Sequence, residues 1–438
     1  MTNKKTKKAS MGFWRTWGLI VGMIIGSGIF MLPALLAPYG ILGLISILIT
    51  AAGTFLIALM LGRLTKALPK VGGFYAYTRE GLGDFTAFLS VWGYSISIWA
   101  AVPAVTIACI GYLDVFIPGI ATNTVGSFLA GLIIIWGIVL LNIKGVKEAS
   151  IFQLITSVLK IIPLFLIAIL GITYSTPESI PVSNPTDGSI FSALTAASIL
   201  TMWAFVGIES GTIPAEDVIE PEKTIPRALF WSVVSVTAIY FLATLAVMML
   251  VPASELATST SPLSDAAVKI MGPIGAQVIS LGAIVAMISA INALVLCGAQ
   301  LPMAAARDKL FPTVFARMSK TLTPAFSLYF VGAISSIFLI INTSKSLMGA
   351  FQFLIMLSTL SVLIPYAFSA VSEMVLIKKI GGKQQTKTMI LALSSFAYTT
   401  WVIVGSGAET VMWGFVLLLI GMPVYAWLQV HNAESEKD

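Results

Sequence analysis

The residues best suited to chemistry form two short clusters inside long apolar runs. The first is Ile24-Ile25-Gly26-Ser27-Gly28-Ile29-Phe30; the second is Trp203-Ala204-Phe205-Val206-Gly207-Ile208-Glu209-Ser210-Gly211. Glycine weakens a helix interior by about 1 kcal/mol relative to alanine, and here it sits beside polar groups at a depth where hydrocarbon offers no water. A backbone that unwinds there must be buried in protein or line a cavity. The helix that resumes after a break presents free N–H groups and a partial positive charge, suited to a carboxylate. The carbonyls left behind accept the hydrogens of an ammonium group. Together the two suit the zwitterionic end shared by all α-amino acids. The other reading is that the glycines only let helices approach closely; a second break that carries Glu209 weighs against it.

The elements that must position these clusters are membrane helices. The 438 residues are 58% apolar and only 10% charged, with a mean hydropathy of +0.97. A soluble domain carries about 25% charged residues. Runs long enough to span, about 20 residues, fall near 14–37, 41–62, 84–112, 124–143, 150–173, 190–214, 228–251, 273–303, 325–342, 347–377, 387–404 and 410–430. The expected fold class is therefore an all-α integral membrane protein with twelve spans. A basic tail occupies 1–13, a single domain 14–430 and a short tail 431–438. The apolar run behind "MTNKKTKKASMGFWR" is too long for a signal-peptide core and lacks a small-residue cleavage site, so it reads as a retained first span.

Charge placement sets the expected orientation. With the N-terminus inside, all of the 25 Lys and Arg residues except Lys160, Lys269 and Lys345 fall on the cytoplasmic side. That bias predicts both termini in the cytoplasm and explains the +6 net charge without a nucleic-acid partner. Cys109 and Cys297 lie in apolar runs, which argues against a disulfide framework or a thiolate metal site. The single histidine, His431, sits in the C-terminal tail, so histidine catalysis and histidine-metal clusters are disfavoured and no cofactor or metal is expected. A P-loop is absent too, which disfavours an ATP-driven pump. A membrane-embedded enzyme lacks a nucleophile–base pair at depth, and a sensor would need a soluble signalling domain.

Further motifs join the two breaks. They are "LPKVGGFYAYTREGLGDF" (Leu68 to Phe85), "EDVIEPEKTIPRAL" after the sixth span, "AAARDKLFP" after the eighth, and "WVIVGSGAETVMWGFV" (Trp401 to Val416). Together they resemble the amino acid–polyamine–organocation (APC) family, most of all its arginine/agmatine antiporter branch. The resemblance implies a LeuT-type fold with spans 1–5 (about 14–173) and 6–10 (about 190–377) as inverted repeats, spans 1 and 6 broken, and two added spans (about 387–430). It implies a secondary active carrier of an amino acid or amine that works by alternating access in the plasma or inner membrane. Antiport is the first expectation, proton symport of neutral amino acids is the alternative, and a homodimer is a further expectation. By the same resemblance Ser27 and Gly28 would hold the substrate carboxylate, and carbonyls of Ile24, Trp203 and Val206 its ammonium group. Trp203 would cap the substrate, Tyr94 would belong to the extracellular-side gate, and Glu209 would be the proton-linked carboxyl.

The chain also departs from that branch. Leu294 stands where the branch has a span 8 tryptophan under the guanidinium, and Val102 where it has a span 3 asparagine. Ile98, Val105, Met356 and Leu357 nearby are apolar, so each unpaired guanidinium donor would cost about 1–3 kcal/mol. A neutral or partly apolar side chain fits better, with Asn292 and Ser358 as polar handles. Lys160, in "LITSVLKIIPLF", sits too deep in span 5 to snorkel easily. Family members with a lysine there place its charge where sodium-coupled relatives hold an ion, so no sodium is expected. The plainer reading is a lysine satisfied by carbonyls of the span 1 break.

For Glu209 the plainer reading is a carboxylate held by backbone amides. Trp203 and Tyr94 could likewise be a packing aromatic and a satisfied hydroxyl. Glu216, Asp217, Glu220, Glu222, Lys223 and Arg227 are expected either to close the cytoplasmic side through ion pairs or to form a solvated loop. Glu373 is expected to snorkel or to pair with Lys378, and Trp401, Trp413 and Trp427 to act as interface anchors.

Overall fold

The computed structural model describes residues 11–69, 72–144, 160–174, 189–212, 215, 218–320, 323–380 and 384–435. The first half of the chain forms α1 (Phe13–Ile24), α2 (Ser27–Leu36), α3 (Ile41–Ala67), α4 (Phe74–Leu82), α5 (Asp84–Leu113), α6 (Thr124–Lys144) and α7 (Ile161–Tyr174). The second half forms α8 (Ile190–Phe205), α9 (Pro221–Leu250), α10 (Pro262–Arg307), α11 (Ala325–Ile341), α12 (Leu347–Val375), α13 (Gln385–Gly405) and α14 (Ala408–Ser435). Among the described residues, ten helices are long and apolar enough to cross a membrane, or up to eleven when the bent α1–α2 pair counts as one span. The chain is thus a multi-pass, all-helical membrane protein. Among the described residues, β pairing is limited to an isolated bridge between Met11 and Val218. Residues 150–159, the start of the expected fifth span, lie outside the described residues, and α7 is its remaining part.

Burial separates the central helices from the peripheral ones. The most apolar stretch of α5 is 94% buried, whereas that of α14 is only 17% buried. So α5 is a central post, and α14 turns Phe415, Ile420 and Trp427 outward to meet lipid. Gly272, at φ +66, divides α10 into an outer helix and a spanning one that begins at Pro273. Only glycine adopts such a backbone without penalty, which is why the span starts where the apolar pattern placed it.

Several ion pairs join the segment after α3 to its neighbours. There "FYAYTREGL", between the expected second and third spans, is the helix α4. Arg79 Nε lies 2.8 Å from Asp84 Oδ1, and its Nη1 is 3.1 Å from Asp308 Oδ2. Tyr75 donates its hydroxyl to Asp308 at 2.8 Å, and Lys379 Nζ is 3.0 Å from Glu80 Oε1. Burial first, and then the bond to Asp308, push the Tyr75 hydroxyl above its ordinary value. The bond to Asp84 raises that of the Arg79 guanidinium.

Glu373 does not pair with Lys378 as expected. It receives the Arg63 guanidinium, with Nη2 2.9 Å from Oε2, because α3 and α12 bring these two groups to the same depth. At the start of α9, Glu220 pairs with Lys223 at 2.9 Å, and Arg227 lies 5.6 Å over the Phe13 ring. Glu216 and Asp217 fall outside the described residues. The Ile219 N–H donates to Met11 O at 2.9 Å, fastening the start of α1 to this loop.

Candidate functional site

Both glycine-bearing clusters are breaks. After Ile24 the chain leaves the helix through Ile25 (φ −73, ψ 89) and Gly26 (φ −126, ψ −144). It resumes at Ser27, bent by 46°. Gly26 is the N-cap residue and has no side chain to bond the first N–H groups of α2, so these point toward the interior unmet by a cap. In the second break, Val206 is extended (φ −62, ψ 140), Gly207 lies at φ +110, and a short 3-10 turn follows over Ile208–Thr212.

The two breaks touch. A Cβ on Gly207 would lie 3.2 Å from the Met23 carbonyl carbon and 3.3 Å from the Ile24 nitrogen. A Cβ on Gly28 would lie 2.7 Å from Ala204 Cα, so this glycine lets α2 cross α8 closely while it also lines the space between them. The packing reading and the binding reading of "GSG" therefore hold together.

The space between the breaks is about 50 Å³, room for roughly four water molecules. Gly26, Ser27 and Gly28 form one wall, and Trp203, Val206, Gly207 and Glu209 the facing one. Ser97, Ile98, Ala101 and Val105 of α5 close a third side, with Ala290, Ala293 and Leu294 of α10 and Ser358 of α12. Ser358 donates to the Ser97 carbonyl at 2.8 Å, and the two hydroxyl oxygens are 2.9 Å apart. Two lining groups, Ser27 Oγ and Trp203 Nε1, are buried without a partner among the described residues, and buried groups of that kind call for a ligand or water.

The carbonyls freed at the end of α1 have donors from distant helices. Tyr240 of α9 donates its hydroxyl to Ile24 O at 2.9 Å, and Gly26 N–H donates to the same oxygen at 2.9 Å. Lys160 is fully buried and donates to Gly22 O, in the last turn of α1. Glu209 has three donors. Its Oε1 accepts from Tyr94 at 3.0 Å; its Oε2 accepts from the Gly207 N–H at 3.0 Å and from Tyr366 of α12.

The profile of the amino acid permease family matches residues 11–430. The chain belongs to that family. It is a transporter and not an enzyme. Among relatives of this permease, the arginine/ornithine antiporter of Pseudomonas aeruginosa is 27% identical, over 97% of this chain and 92% of its own. The putrescine transporter PotE of Escherichia coli (strain K12) is 27% identical over 96% of each chain. The arginine/agmatine antiporter of Chlamydia pneumoniae is 27% identical, over 97% of this chain and 91% of its own.

The permease brings Ile24, Ser27, Gly28, Tyr94, Trp203, Val206, Glu209, Leu294 and Ser358 to one cavity. Lys160 lies behind its α1 wall, within reach of Gly22. Val102 is fully buried but is not part of the wall; Ala101 and Val105 take that position. Asn292 likewise turns away, accepting from Asn142 at 2.9 Å.

Tyr94, expected at the extracellular-side gate, lines the cavity beside Glu209. It precedes the wall residues Ser97 and Ile98 on α5, toward the end that begins at Asp84 beside α4. There it donates to Glu209, which also accepts from Tyr366. Sequence reasoning missed Tyr366 and Tyr240. A hydroxyl inside an apolar run was the available signal, but nothing local tells which distant carboxyl or carbonyl it meets.

Proposed function

We propose that this permease is an antiporter, exchanging amino acids or their amines across the plasma or inner membrane by alternating access. The observation that carries the reading is the pair of touching breaks around one cavity lined by both free donors and backbone carbonyls. The first-turn N–H groups of α2, with Ser27 Oγ and Trp203 Nε1, suit a carboxylate. Ile24 O already has two donors, so the carbonyls of Trp203 and Val206 take the larger share of the ammonium group. Trp203 covers the substrate, and the side-chain lobe made by Ile98, Ala101, Val105 and Leu294 suits a short neutral or partly apolar group. The hydroxyls of Ser97 and Ser358 offer that lobe one polar edge.

In this proposal Glu209 is the proton-linked carboxyl, and the Lys160 ammonium supplies the fixed charge that makes sodium unnecessary. The architecture proposed is twelve spans in a LeuT-type 5+5 inverted repeat with two added spans, both termini cytoplasmic, in a homodimer. The domain spans 14–430, with tails on either side. The names of the relatives favour exchange over proton symport.

Purified protein in liposomes tests the reading. Labelled amino acid should enter only when unlabelled substrate fills the lumen. Uptake into empty liposomes driven by a pH gradient would replace exchange with symport, and no uptake of any amino acid or amine would remove the transport reading. A thermal-shift screen across amino acids and their decarboxylated amines then decides whether the carboxylate is required.

A further inference from the structure

A second concavity lies on the membrane-facing surface, away from the substrate cavity. It is a crevice of about 540 Å³ between α3 and α9. Leu48, Ala52 and Phe55 form one side, and Val234, Ala238 and Phe241 the other. Small residues hollow it: Ala52 and Ala238 are both exposed there. At one end the rings of Phe55 and Phe230 meet with centroids 5.1 Å apart. From Val233 to Leu242 the crevice runs about 14 Å along α9 at 1.5 Å per residue. One leaflet's share of a bilayer core of about 30 Å has nearly the same depth.

Beyond the closed end the surface turns basic. Gly62 of α3 packs on Pro226 of α9, where a Cβ would come within 3.2 Å. Lys66, one turn further along α3, and Arg227, next to Pro226, are exposed at this same end. Half-exposed Trp231 lies between them and the crevice, as interfacial tryptophans do. The acidic Glu220 nearby is paired with Lys223.

We infer that this crevice holds an acyl chain of an anionic phospholipid from the leaflet on the Met11 side, with its phosphate between Lys66 and Arg227. The site matters to the carrier because α9 presents Tyr240 from its opposite, buried face to the carbonyl at the α1 break. A chain seated in the crevice packs α9 against α3 and steadies that donor.

Native mass spectrometry of the full chain, loaded with equal phosphatidylglycerol and phosphatidylcholine, tests the site. Phosphatidylglycerol should be retained preferentially, and Lys66→Gln or Arg227→Gln should each lower the preference roughly fivefold. Ala52→Phe with Ala238→Phe should reduce retention of both lipids; these positions face the membrane, so the added rings displace lipid and not core. Equal retention of the two lipids by the native chain would overturn the inference, as would unchanged retention when the crevice is filled. Loss of a dimer signal on filling it would assign the crevice to a second copy of the chain instead.

Discussion

Replacing Gly207 by alanine should do more damage than any ordinary glycine substitution in this protein. The residue sits at φ +110, beyond even the small left-handed region open to other residues, and strain of that kind costs about 1–3 kcal/mol. The new methyl group would also lie 3.2–3.3 Å from Met23 and Ile24 backbone atoms. Backbone cannot swing aside as a flexible side chain can, so overpacking adds about 1–3 kcal/mol. The sum is about 4 kcal/mol, and it forces apart the two breaks that make the cavity.

Two controls separate the contributions. Gly83→Ala carries the strain alone, since Gly83 is at φ +85 with nothing within 4 Å. Gly137→Ala, in the open surface of α6, should stabilise by up to about 1 kcal/mol. Thermal unfolding in detergent, with and without saturating substrate, should rank Gly137→Ala at or above the native chain, then Gly83→Ala, then Gly207→Ala. The ligand-induced shift should vanish only in Gly207→Ala. If Gly207→Ala matches Gly83→Ala in stability and keeps the full ligand shift, contact between the breaks is not what forms the site.

Glu209→Gln presents one amide oxygen and an N–H pair to three donors, at a cost of about 1–3 kcal/mol, and should flatten the pH dependence of exchange; an unchanged profile would strip Glu209 of its proton-linked role. Arg63→Ala leaves buried Glu373 without its partner and should lower stability by about 3 kcal/mol, read by thermal unfolding. Leu294→Trp with Ala101→Asn should strengthen arginine or agmatine binding in thermal-shift titrations, whereas Val102→Asn should not, because Val102 does not face the cavity. Tyr75 has its hydroxyl raised by burial and by Asp308, so its stabilising effect is full below the ordinary tyrosine value near 10 and fades as pH rises above it. Tyr75→Phe should therefore lower stability at pH 8 and give a flatter unfolding profile from pH 8 to 11.

The breaks were legible because glycine beside a polar group in an apolar run is a local signal, and local signals survive without tertiary structure. Glu209 and Lys160 were legible for the same reason: a charge at that depth needs a partner, whoever supplies it. The partners themselves were not legible. Tyr94 and Tyr366 reach Glu209 from helices more than a hundred residues away in sequence, and no spacing rule connects such positions.

Val102 shows a second limit. Neighbouring helix positions differ by about 100° around the axis, so placing a residue in the right turn does not decide whether it or Ala101 meets the cavity. Nor did the pattern of α4 suggest a helix, because its short amphipathic run is held by ion pairs to α5, α10 and the segment after α12.

The hydroxyls on Glu209 also bear on the pace of the proposed exchange cycle. They come from α5 and α12, while Glu209 belongs to the break after α8, so the alternating access proposed above would separate the carboxylate from both. Hydrogen bonds to a charged group are worth about 1.5–3 kcal/mol each, and losing two before new partners form raises a barrier by about 3–6 kcal/mol. That slows the opening step by a factor of roughly 10² to 10⁴. On that proposal Glu209 and Tyr94, which line the cavity, act with Tyr366 as the clock of the exchange cycle.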